Sequence, residues 1–166
     1  MNIAIVGGTG TVGAEAAREL AERGHAVRVL SRHAPEYPVD LAELEARLPD
    51  NSYWRLSSPT EDPLLLQQRE VWRAETNRAY GRIVAGEATE AEIEAYYAEV
   101  TRVSADYVAL ATLILEEYGD RLPERDRGLF ELGAKMHAGR LTEVPRRLAE
   151  AHERRRLQEQ RRAAWR

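Results

Sequence analysis

Residues 89–119 read TEAEIEAYYAEVTRVSADYVALATLILEEYG, and their spacing decides most of the architecture. Thr89 followed by Glu92 is the reciprocal capping box that opens a helix, and Gly119 stands where a helix stops. Between them Ile93, Tyr97, Val100, Ser104, Tyr107, Ala111, Ile114 and Tyr118 step by four and three, the spacing of a seam packed against neighbouring helices. Outward from this segment the punctuation continues. Asp62 and Pro63 open a preceding helix with Leu65, Trp72, Ala79 and Ile83 on one face and Gly86 at its end. Pro123 opens a following helix carrying Leu129, Leu132 and Met136. Thr142 is expected to cap a last one, with Pro145 tolerated in its first turn. Four helices joined by short connections predict a small bundle.

The 166 residues hold 31% charged side chains with a net charge of only -4. Opposite charges are therefore mixed, as on solvated helix faces. Lys135 is the only lysine, so the arginine excess reads as composition bias rather than as a basic surface. The absence of cysteine removes disulfides, thiol nucleophiles and thiolate metal ligands. No apolar run approaches the roughly 20 residues of a bilayer span. The opening residues lack the basic segment and cleavage site of a secretory leader, so a cytoplasmic location is expected.

The first residues carry a different pattern. Positions 3–6 are a short apolar, β-branched run, followed at once by Gly7-Gly8-Thr9-Gly10-Thr11-Val12-Gly13. Helical spacing follows to Arg23, then Gly24, and Ala26-Val27-Arg28-Val29-Leu30 reads as a second strand. Strand, glycine turn, helix and strand predict a small parallel βαβ sheet. Residues 52–57, with Tyr53, Trp54 and Leu56, are a candidate third strand. Residues 57–63, rich in Ser and Pro, form the clearest linker. The expected class is thus an α/β start over 1–57 followed by an all-α helical array over 58–166.

This opening resembles the start of the NmrA-like, atypical short-chain dehydrogenases, over about a quarter of the chain. The resemblance implies that Gly7, Gly10 and Gly13 shape a phosphate-binding turn, with the backbone of Thr9, Thr11 and Val12 facing the anion at a helix N-terminus. It also implies NADP rather than NAD, because Arg32 stands after the second strand where the 2'-phosphate would lie. The family's Tyr-x-x-x-Lys pair is missing, since Glu131 stands four residues before Lys135. An NAD(P)-binding Rossmann-like protein without dehydrogenase activity is the expectation from the resemblance. The alternative is a non-enzymatic helical scaffold or oligomerisation protein whose opening segment is structural.

The remaining constellations favour plain readings. His25, His33, His137 and His152 lack the Glu-x-x-His spacing of bundle metal sites, so no metal is expected. Tyr96, Tyr97, Tyr107, Tyr118 and Trp72 read as core aromatics. From Arg146 to Arg166 eight arginines stand against three glutamates, but Glu150, Glu153 and Glu159 interleave at salt-bridge spacing, so nucleic acid is not an expected partner. Expected partners are a dinucleotide and a second copy of the chain through helical faces, with no membrane.

Overall fold

The structure is a computed structural model. It describes the backbone of residues 2–6, 11–24, 26–30 and 38–165, and the side chains of 15, 16, 18–24 and 38–165. Over residues 38–165 every regular element is a helix: α2 (Leu41–Arg47), α3 (Ser52–Leu56), α4 (Pro63–Ala85), α5 (Glu90–Tyr118) and α6 (Glu124–Ala164). Before them lie α1 (Thr11–Glu22) and two backbone strands, β1 (Asn2–Val6) and β2 (Ala26–Leu30), paired in parallel with Asn2 opposite Ala26.

That two-stranded ladder does not make the α/β class expected above, and the fold class is corrected to a helical array. Among residues whose side chains are described, none lies in a strand, and all the described apolar burial is between helices and their connections. Two strands with one helix, α1, beside them are too little for a Rossmann sheet to stand on. The third strand anticipated over 52–57 is the helix α3. There Asn51 accepts a hydrogen bond from the Tyr53 amide at 3.0 Å, and that cap outweighs the β preference of Tyr53 and Trp54 over so short a run.

Helices α2 to α5 each start where a side chain satisfies free amides, whereas α6 opens at Pro123 with no side-chain cap. Asp40 accepts from the Ala42 and Glu43 amides at 2.9 and 3.2 Å to open α2. Asp62 accepts from Leu64 at 2.9 Å to open α4, with Pro63 in its first turn. The capping box of α5 forms as the spacing predicts, with Glu92 accepting from the Thr89 amide at 2.6 Å and Thr89 from the Glu92 amide at 3.2 Å. Gly86 ends α4 at φ 71, and a Cβ there would come within 3.1 Å of the Arg154 carbonyl, so α6 passes close above this turn.

The last two expected helices are one, α6. Thr142 does not cap a new helix; its hydroxyl donates to the Gly139 carbonyl at 2.7 Å and Pro145 sits inside. The helix persists because its inward stripe is unbroken across that point: Phe130, His137, Leu141, Val144, Leu148 and Ala151 are all at least partly buried.

Helices α5 and α6 share the largest interface of the array. Two apolar clusters sit at opposite ends of α5. At its C-terminal end Leu110, Ile114 and Tyr118 pack with Val39, Leu44 and Leu122. At its N-terminal end Ile93 and Tyr97 pack with Ile83, Ala88 and Ala151. Each fully buried Leu or Ile contributes about 1.5–3 kcal/mol, so these clusters fix where α2, α4 and α6 lie on α5.

Candidate functional site

Between the two clusters α5 is joined to its neighbours by polar contacts and leaves a groove. Asp106 of α5 accepts from the Ser52 amide at 3.0 Å and from the Ser52 hydroxyl, while Asn51 donates to the Asp106 carbonyl at 2.7 Å. The start of α3 is thereby pinned to the middle of α5. Arg69, reaching from α4, donates to the carbonyls of Arg55 and Trp54 at 2.8 and 3.2 Å and to the Ser58 hydroxyl at 3.1 Å. A guanidinium fork of this kind satisfies carbonyls left free at the C-terminal end of α3.

Held in this way, α3, α5 and the first half of α6 enclose a cavity of about 450 Å³. Its walls are largely apolar, with Leu110, Leu129, Phe130 and Met136, and its polar groups are few. Tyr107 stands at one side, its ring stacked on His137 with centroids 4.7 Å apart and edge-on to Tyr53 at 6.1 Å. The Tyr107 hydroxyl shares a hydrogen bond with Ser57. His137 Nδ1 is buried without a hydrogen-bond partner. Burial pushes the His137 pKa down, and the nearby Arg140 charge pushes the same way, which favours the neutral ring. A neutral imidazole among aromatic and aliphatic walls suits apolar contact and single hydrogen bonds.

The groove opens onto an apolar row on α6. Leu129, Leu132 and Met136 are 52%, 54% and 59% exposed, and Leu129 and Met136 also line the cavity. Spacing of three and four places all three on one side of the helix. The row flanks the inward stripe, so these residues are apolar without being part of the core.

The residues singled out from the sequence fall elsewhere. Gly7, Thr9, Gly10 and Arg32 lie outside the described residues. Thr11, Val12 and Gly13 belong to the backbone of α1, and their side chains are not described. With the fold corrected to a helical array, the Rossmann-like NAD(P)-binding reading loses the sheet it needs, and the nucleotide-binding description falls with it. Of the aromatics, Tyr97 and Tyr118 are core as expected, but Tyr107 lines the groove. In the arginine-rich end, Glu150, Glu153 and Glu159 pair with Arg146, Arg156 and Arg155. Among the described residues no group of three or more His, Asp or Glu is placed to hold a metal ion, and no helix is long and apolar enough to cross a membrane.

Sequence reasoning missed Arg69 and Asp106. Both are ordinary helix-surface residues in a one-dimensional reading, and only the packing of α3 turns them inward. No protein-family model matches the chain, and neither a curated protein nor a solved structure matches it.

Proposed function

We propose that this chain works as a helical scaffold or oligomerisation protein, docking through the outer side of α6 in the cytoplasm. The observation that supports this reading is the row of Leu129, Leu132 and Met136, each more than half exposed and continuous with an apolar groove. Single exposed apolar residues are common on any surface, whereas a contiguous row beside a groove marks a place where another surface settles. The α5–α6 pair gives that row a rigid backing, which keeps the entropic cost of docking low. A cytoplasmic setting suits a chain without cysteine, whose stability asks nothing of an oxidising compartment.

Light scattering after size exclusion tests the reading. The chain has a mass of 18.8 kDa, and a larger particle that shrinks towards that mass on Leu132→Glu is the expected result. Leu132 is exposed, so the charge is accommodated in the separate chain. A particle of one chain at every loading concentration would remove the self-associating form of the proposal.

A further inference from the structure

Six positions on α6 recur in steps of four and three: Arg125, Leu129, Leu132, Met136, Gly139 and Glu143. That alternation is the 3.5-residue period of a helix-packing seam. It is not the seam α6 uses within the chain, whose inward stripe runs through Phe130, His137, Leu141 and Val144. The three apolar members are exposed, as is Arg125, which pairs with no acidic residue among the described ones. Glu143 pairs only with Arg147, one turn further along the same helix. At Gly139 a Cβ would meet no heavy atom within 4 Å. A glycine costs helix propensity, and none of the described residues uses the space it leaves.

The order of these six residues is self-complementary when read against its own reverse. Turned end for end about Ala134, a second copy of α6 sets its Glu143 opposite Arg125, its Gly139 opposite Leu129 and its Met136 opposite Leu132. The three pairs then repeat beyond the axis, as a two-fold interface requires. The bare backbone at Gly139 makes room for the facing leucine. Other arrangements lose this match. A parallel pair sets Arg125 on Arg125 and Glu143 on Glu143, and a slip of one heptad sets Leu132 against Glu143 or Arg125 against Met136. Charge therefore selects one orientation and one register.

We propose that two copies of this chain pair antiparallel through the outer seam of α6, with Arg125 of each facing Glu143 of the other. This rests on the oligomerisation reading above and supplies its partner and geometry. The test is sedimentation velocity of the full chain with the single variants Arg125→Glu and Glu143→Arg. Each alone sets like charges together at both ends of the seam, so each should weaken dimerisation by about tenfold or more. Mixed in equal amounts, the two variants place opposite charges at both ends again and should regain dimers, now containing one chain of each. Helical circular dichroism of each variant separates lost pairing from lost folding. If the native chain associates but the mixture of the two variants recovers nothing, this register is overturned while the oligomerisation reading stands. A native chain that stays single at every concentration overturns both.

Discussion

Arg69 of α4 donates its Nε hydrogen to the main-chain carbonyl of Arg55 in α3 at 2.8 Å, from a side chain only 8% exposed. With its other contacts to Trp54 and Ser58 it is the main polar link between the two helices. Replacing it with methionine keeps the apolar stem but takes the donor from the Arg55 carbonyl, while the Trp54 carbonyl keeps the Ser58 hydroxyl at 2.6 Å, and should cost about 1–3 kcal/mol in urea unfolding. Arg69→Lys should recover only part of this, because an ammonium cannot reproduce the planar fork. Equal stability of the native chain and the methionine variant would show that the link is incidental.

Asp106 performs the matching task at the other end of α3. Its carboxylate accepts from the Ser52 amide, and its own carbonyl accepts from Asn51. Truncation in Asp106→Ala removes the side-chain acceptor for a helix N-terminus and should destabilise the array by about 1–2 kcal/mol. Hydrogen exchange should be fastest to rise at Ser52 and Tyr53, whereas a uniform rise along α5 would point to a different role.

The cap of α5 makes stability depend on acid. The Thr89 amide, hydrogen-bonded to the Glu92 carboxylate, holds its pKa below the ordinary 4.5, and the Thr89 hydroxyl and Arg82 reinforce this. A depressed folded pKa gives stability that is present above the unfolded value and lost as pH falls through the folded one. Unfolding midpoints should therefore decline as pH drops below about 4.5, and Glu92→Gln should flatten that decline. Thr89→Ala, which removes the other half of the box, should cost about 1 kcal/mol at neutral pH.

His137 acts in a higher window by the same sign. Burial and then Arg140 depress its folded pKa below 6.5, so the unfolded chain binds its proton more readily. Stability is full above 6.5 and falls as pH descends through the lower folded value. His137→Phe keeps a ring against Tyr107 and removes the titration. Its advantage over the native chain, measured by urea midpoints, should grow from pH 7 to pH 5. An advantage that does not change with pH would mean the histidine is protonated alike in both states.

How legible the sequence was depended on where the information lay. The extent of α4 and α5 followed from local chemistry, since Asp62, Pro63, Gly86, Thr89 and Glu92 each act on neighbouring amides and carbonyls. The break expected at Thr142 and Pro145 was overridden by the inward stripe from Phe130 to Ala151, a tertiary effect that local punctuation cannot report. Residues 52–57 misled for the opposite reason: β-favouring Tyr53 and Trp54 were outweighed by an Asn51 cap and by Asp106, more than fifty positions away. The groove was partly legible. Leu129, Leu132 and Met136 share a helix face in the sequence, but that the face looks outward emerged only once α5 was seen to occupy the adjoining one.

In the proposed dimer the outer face of α6 between Arg125 and Glu143 is covered by a second chain. Hydrogen–deuterium exchange of the full protein, read by mass spectrometry at low and at high concentration, examines that face directly. Peptides spanning 125–143 should exchange more slowly at the higher concentration, while those from the middle of α4 stay unchanged. Exchange across 125–143 that is the same at both concentrations, over a range wide enough to populate a weak dimer, would contradict it.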